Sequence, residues 1–260
     1  MTETSHQDLI LDQFTRQATP FSTAAPINNE RALQMILDAA RPRPDDRVLD
    51  VACGGGLVVC AFAPHVQNAT GIDVTPAMLD QARQLAAAKR LTNVDWRRGD
   101  VNSLPFADHS FTIVVTRFSV HHFPNPIAVL REMVRVCAPE GRILVVDMYA
   151  SANPAKASEF NRMERLRDPS HVRSLTLTEL TALFAEAGLP QPHVTFYELR
   201  DEVRNLLARS FPAPGDEGKI IELFKASATD DRLGIPLEVD GEKIHYAYPV
   251  AILAARRPVQ

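Results

Sequence analysis

Apolar residues recur at helical spacing through the first forty positions, at Leu9, Ile10 and Phe14 and again at Leu33, Ile36 and Leu37. Thr19-Pro20 and Ala25-Pro26 interrupt that stretch, so the pattern predicts two helical pieces. Arg41-Pro42-Arg43-Pro44-Asp45-Asp46 then reads as a loop. From Arg47 onward, short continuous apolar runs alternate with amphipathic ones. Strands are predicted at 47–52, 69–73, 94–98, 111–118 and 142–147, and helices at 57–65, 75–89 and 126–136. Thr75 stands at an N-cap position with Pro76 at the first helical position. The run Ile143-Leu144-Val145-Val146 has no polar alternation, which suits a strand buried on both faces. The rhythm predicts an α/β protein whose parallel sheet carries helices on both sides.

After Asp147 the rhythm changes. Residues 151–173 read as irregular or helical, and 178–187 as a helix stopped by Gly188. A strand is expected at 193–200, and helices over 201–233 around a loop at Pro212-Ala213-Pro214-Gly215. Lys243–Arg256 reads as a closing strand paired antiparallel.

Composition narrows the class. The 260 residues carry 28 Lys+Arg against 32 Asp+Glu, a net charge of -4, which disfavours nucleic acid or an anionic membrane as a partner held by bulk charge. No run approaches the ~18 apolar residues of a membrane span. The polar first twenty residues carry no secretory pattern. Cys53, Cys60 and Cys137 lack metal-ligand spacing, and a cytoplasmic location is expected. Three of the 11 glycines are consecutive, Gly54-Gly55-Gly56.

Those three follow the first strand and lead into a helix, as in the first turn of a nucleotide-binding half. A dinucleotide fingerprint needs G-x-G-x-x-G. Here Ala52, Gly54 and Gly56 are followed by Leu57, so the third glycine is missing. Asp73, after the second strand, is placed to accept from both hydroxyls of a ribose, and Asp100, after the third, from an exocyclic amine. Asp50, the glycines, Asp73 and Asp100 are therefore expected around one crevice at the carboxyl ends of the strands.

The segments VLDVACGGG, GIDVTPAML, GDVNSLPFADHSF, RFSVHHFPNP and RVCAPEGRILVVD together resemble the class I S-adenosylmethionine-dependent methyltransferases, and within them the UbiE-like small-molecule subgroup. The resemblance is strong over about residues 45–150 and weak over 165–190. It implies a Rossmann-like, seven-stranded, mostly parallel sheet with an antiparallel last strand. It also implies methyl transfer from S-adenosyl-L-methionine to a small molecule, by a monomer or homodimer without a metal. The loop from Asp50 through Ala52 and Gly54 to Gly56 would hold the methionine moiety. Ala52 stands where many relatives have glycine. Asp73 would bind the ribose, with Val74 and Met78 beside the adenine and Asp100 and Val101 at its edge. Thr116 and Arg117 would meet the methionine amino group. The implied domain plan is a helical lid over 1–44 and a catalytic domain over 45–260, with inserts at 151–175 and 201–235 on the acceptor side.

His121 and His122 follow the fourth strand and are the candidate proton acceptors. In Arg167-Asp168-Pro169-Ser170-His171-Val172-Arg173, His171 and Arg173 are candidates to orient a polar substrate; the alternative is a salt-bridged surface loop. Phe14 and Phe21 either stack on a planar acceptor or pack the lid. N- or O-methylation of a heteroaromatic or natural-product intermediate is the main expectation. C-methylation of a quinone precursor, a cofactor-binding protein without catalysis and an NAD(P) dehydrogenase are the alternatives.

Overall fold

A computed structural model of the chain describes residues 5–259. One sheet dominates it, built from β1 (Arg47–Val51), β2 (Asn68–Asp73), β3 (Val94–Arg98), β4 (Phe111–Arg117), β5 (Cys137–Met148), β6 (His193–Glu202), β7 (Leu237–Asp240) and β8 (Lys243–Arg256). Its order is β3-β2-β1-β4-β5-β8-β6, with β7 paired to β8. The first five strands are mutually parallel, while β8 runs antiparallel to β5, β6 and β7. The sheet therefore has eight strands, not seven. The extra one comes from a two-residue hairpin at Gly241-Glu242, where Gly241 adopts φ 58°. The Asp-Gly pair at 240–241 is the local signal for that turn.

Alternation along the strands divides the core into two layers. Val48, Ile113, Val115, Leu144 and Val146 face one side. There they meet Ile36 of α2 (Glu30–Ala40), Val59 of α3 (Leu57–Phe62) and Leu79 of α4 (Pro76–Ala88). Leu49, Val51, Val114, Ile143 and Val145 face the other, against Met133 of α5 (Pro126–Val136). Phe160 of α6 (Pro154–Arg167) joins the first layer, and Phe184 of α7 (Leu177–Glu186) the second. α8 (Val203–Ala208) and α9 (Asp216–Asp230) extend the first layer through Leu206 and Phe224. With period two and both faces covered, neither layer of strand residues reaches solvent, which explains the unbroken apolar runs. No helix among the described residues is long and apolar enough to cross a membrane.

The N-terminal segment departs from the pattern. One helix, α1 (His6–Ser22), runs through Pro20, capped by a reciprocal Ser5/Asp8 box. Proline removes one donor near the helix end, and the break comes instead at 23–29, before the Asn29 cap of α2. α1 lies across α4. At α4, Thr75 is the N-cap residue, but its hydroxyl makes no cap bond; its N–H donates to Asp73 Oδ1 at 2.8 Å.

Gly56 ends the glycine loop at φ 79°, and a Cβ there would fall 2.5 Å from Trp96 Cη2 and 2.7 Å from the Ala82 Cβ. Gly56→Ala combines left-handed strain with a clash. We expect a loss of about 1–3 kcal/mol in urea unfolding; an unchanged midpoint would show that the loop relaxes freely.

Candidate active site

The register pairs Asp50 of β1 with Gly71 of β2 on one side and Val115 of β4 on the other. The carboxyl ends of these three central strands thus open side by side. Beyond β1 the chain turns sharply, with positive φ at Ala52 (58°), Gly54 (49°) and Gly56 (79°). Ala52 is the one residue of these three whose side chain opposes that conformation, at a cost of about 1–2 kcal/mol. The turn is held by Cys53 N–H donating to the Ile72 carbonyl at 3.0 Å and Gly54 N–H donating to Asp73 Oδ2 at 2.9 Å.

A cavity of about 310 Å³ opens above these strand ends. Asp50, Ala52, Gly54, Asp73, Val74, Met78, Asp100, Val101 and Arg117 all line it. Phe14 and Phe21 of α1 cover it, and His122 closes its far side. Residues of separate strands, loops and the N-terminal helix are thereby brought together.

Other expected site residues sit elsewhere. Gly56 packs under Trp96. Thr116 lies behind the floor, its hydroxyl donating to the Val51 carbonyl at 2.7 Å and paired with Ser119. Neither lines the cavity. Arg173 binds Glu179 at 2.9 Å with its side chain half exposed. His171 is buried, its Nε2 hydrogen-bonded to Asn161 Oδ1 at 2.8 Å, and lines no cavity here. The 167–173 segment is neither a lid over the cavity nor a surface loop. Asp168, Ser170 and His171 are buried beneath the paired histidines, and the Val172 and Arg173 N–H groups donate to the His121 carbonyl.

Three residues that line the cavity each hold a buried polar atom with no hydrogen-bond partner among the described residues: Asp50 Oδ1, Arg117 Nε and Ser22 Oγ. Arg117 Nη2 donates to the Ile27 carbonyl at 3.0 Å, and the guanidinium stacks 4.6 Å over the Phe118 ring. Burial pushes the Asp50 carboxyl well above the ordinary range, with Arg117 opposing the shift. Burial also raises Asp73, against the N–H bonds from Thr75 and Gly54.

His121 and His122 form a short turn after β4, with ring centroids 4.3 Å apart. His121 Nδ1 pairs with Asp147 Oδ1 at 2.7 Å, away from the main cavity. His122 borders the cavity, and burial, reinforced by His121, pushes it down to about 4, so it is neutral at neutral pH. Asp147, Asp168 and Ser170 were not singled out from the sequence. Asp147 ends an apolar strand at the right edge of the crevice, which was the available signal; the other two lay inside the charged 167–173 cluster.

A central glycine turn, an acid after β2 and an antiparallel strand beside β5 define a Rossmann-like class I methyltransferase. The Methyltransferase domain family model matches residues 49–145. The chain is 33% identical over 245 residues to the uncharacterized methyltransferase YcgJ of Bacillus subtilis, covering 90% of this chain and 96% of that protein. The solved YcgJ structure superposes with a TM-score of 0.82 at 30% identity, over 89% of this chain and 100% of that one. The uncharacterized protein YafE of Escherichia coli is 35% identical over 180 residues, 69% of this chain and 86% of its own length. The ubiquinone/menaquinone biosynthesis C-methyltransferase UbiE of Roseobacter denitrificans is 32% identical over 131 residues, about half of each chain (49% and 52%). The chain belongs to the family of class I S-adenosylmethionine-dependent methyltransferases that share this domain, alongside YcgJ and YafE.

The raised Asp50 has a sign that can be tested. A carboxyl whose folded-state affinity for protons exceeds its unfolded value favours folding below the unfolded pKa and loses that contribution as pH rises through the folded one. At pH 7, above the unfolded value, burial of this carboxyl therefore opposes folding. Asp50→Asn should raise the melting temperature of the ligand-free protein at pH 7 and change it little at pH 4; a lower melting temperature at pH 7 would mean that Arg117 compensates the charge fully.

Proposed function

We propose that the cavity binds S-adenosylmethionine with its methionine end at β1 and β4, its ribose at Asp73 and its adenine between Val74, Met78, Asp100 and Val101, and that the acceptor enters beneath α1. The observation that carries this reading is the set of partnerless groups on the wall. An acid at Asp50 suits an ammonium, and Arg117 Nε with Ser22 Oγ suits a carboxylate, so the pair fits a zwitterionic amino acid. Each Asp73 oxygen already takes one backbone N–H, which leaves acceptor capacity on both for two adjacent hydroxyls. Asp100 takes both bonds from Asn102 on Oδ1, so Oδ2 stays open to an exocyclic amine.

The cofactor supplies a sulfonium methyl, whose bond to sulfur breaks with both electrons going to sulfur as the acceptor attacks in line. The chain's own work is alignment and exclusion of water. Phe14 and Phe21 supply an apolar cover, so the lid expected over 1–44 narrows to α1 and the turn up to Ile27, while α2 packs into the core of the catalytic domain. His122, neutral and on the cavity wall, is the proton acceptor; His121, held by Asp147, supports it from behind.

A carbon acceptor on a quinone precursor is the better supported chemistry. The match to the UbiE C-methyltransferase favours it, while the aromatic cavity suits a planar acceptor under either chemistry. With carbon-13 in the donor methyl and cell extract as the source of acceptor, the product should show a ring-methyl resonance. A methoxy or N-methyl resonance would reverse this assignment. Asp73→Ala should weaken S-adenosylhomocysteine binding by about tenfold or more in calorimetric titration. An unchanged affinity would remove Asp73 from the ribose site.

A further inference from the structure

Behind His122 lies a second, smaller chamber of about 70 Å³. Phe14, Phe21, Ile27, Phe118 and His122 border both cavities, so His122 is the one titratable side chain at the junction among the described residues. The polar groups deeper in this chamber are matched to one another. Arg167 pairs with Glu164, Tyr248 donates its hydroxyl to Glu164 Oε1 at 2.5 Å, and Arg209 pairs with Asp201 and Tyr246. What the junction leaves open is one edge of the His122 ring.

That ring is fixed on its other sides. Nδ1 lies 3.0 Å from the Ser170 carbonyl oxygen, which only accepts, so Nδ1 carries the hydrogen. In the neutral ring Nε2 is then a bare acceptor, and it makes no hydrogen bond among the described residues. Ser170 is itself held twice by Asp168 Oδ1, through its N–H at 2.9 Å and its hydroxyl at 2.6 Å. The Phe14 ring meets the imidazole edge-on at 5.0 Å, and His6 Nε2 reaches the His122 carbonyl at 2.8 Å. Asp168 thus decides, through Ser170, which ring nitrogen faces the cavity.

We propose that Nε2 of His122 recognises a hydroxyl on the acceptor, a phenol or enol on a planar ring lying between the two cavities, with Asp168 and Ser170 as its positioning residues. This rests on the methyltransferase reading above. The acceptor's O–H bond breaks and its proton passes to Nε2. The electron pair left on oxygen is delocalised to the neighbouring ring carbon. That carbon forms the bond to the methyl group, and sulfur keeps the pair of the broken bond. Loss of the hydrogen from the same carbon restores the hydroxylated ring, so one proton is released overall. An apolar acceptor without a hydroxyl would leave Nε2 desolvated and unpaired, which makes the hydroxyl a condition of binding.

The test is calorimetry on the full chain saturated with S-adenosylhomocysteine, using 4-nitrophenol and its methyl ether, 4-nitroanisole, as probes. The phenol should bind about tenfold or more tightly than the ether. His122→Phe should abolish that preference and leave S-adenosylhomocysteine affinity within about twofold. Asp168→Ala should reduce the preference, and Asp168→Asn, which keeps an acceptor for Ser170, should restore it. Nitrogen-15 spectra should show Nδ1 protonated and Nε2 bare in the parent protein, and a mixture of tautomers in Asp168→Ala. Equal binding of the two probes, a preference that survives His122→Phe, or no binding of 4-nitrophenol up to its solubility limit would overturn the proposal. Failure of S-adenosylhomocysteine itself to bind would instead bring down the cofactor reading on which the proposal rests.

Discussion

Of the two hydrogen bonds that tie the glycine turn to β2, the one on which the site depends is the Gly54 N–H held by the Asp73 carboxylate. It joins the turn after β1 to the end of β2, and the same carboxylate receives the N–H of Thr75, the N-cap residue of α4. Moving Asp73 therefore moves the glycine loop and the start of α4 together. The loop can comply because Gly54 and Gly56 accept left-handed backbone and because Gly56 leaves room for Trp96. The geometry that makes a nucleoside site is the same geometry that closes the core between β1, β2 and α4.

The electrostatics around this joint run against stability. Asp50 is buried with one oxygen unpaired, and Arg117 is buried with its Nε unpaired. On the far side His122 is kept neutral by burial, and His121, His122 and His171 crowd within 6.3 Å of one another. Groups this poorly solvated cost free energy in a folded chain unless a ligand answers them. The neighbouring chamber differs, because Glu164, Arg167, Asp168 and Tyr248 answer one another. Three residues that line the cavity, Ser22, Asp50 and Arg117, hold such unmet atoms, while Thr75, His171, Ser174 and Tyr197 hold others away from it.

Much of this was legible in the amino-acid order because it is local. Apolar runs marked β1, β2, β4 and β5, and the acids at the strand ends marked the crevice. What escaped depends on contacts across the chain. α1 continues through Pro20 because its face has α4 to lie on, which no local pattern records. The 167–173 cluster looked like a solvated loop or lid, yet its charges are answered by Glu164 and Ser210 and its backbone by His121, all distant in sequence or unremarkable on their own. Thr116 looked like a ligand contact from its place at the end of β4, but pleating turns its hydroxyl to the Val51 carbonyl. β7 was missed because four residues, two of them apolar, carry little signal, although the Asp-Gly turn beside them was visible.

The most direct measurement of the central claim is calorimetric titration of the unmodified chain with S-adenosylhomocysteine and, separately, with NADH. The arrangement of Asp50, Gly54, Asp73 and Asp100 predicts saturable binding of S-adenosylhomocysteine at one site and no comparable heat from NADH. Tight binding of NADH with none of S-adenosylhomocysteine would contradict it.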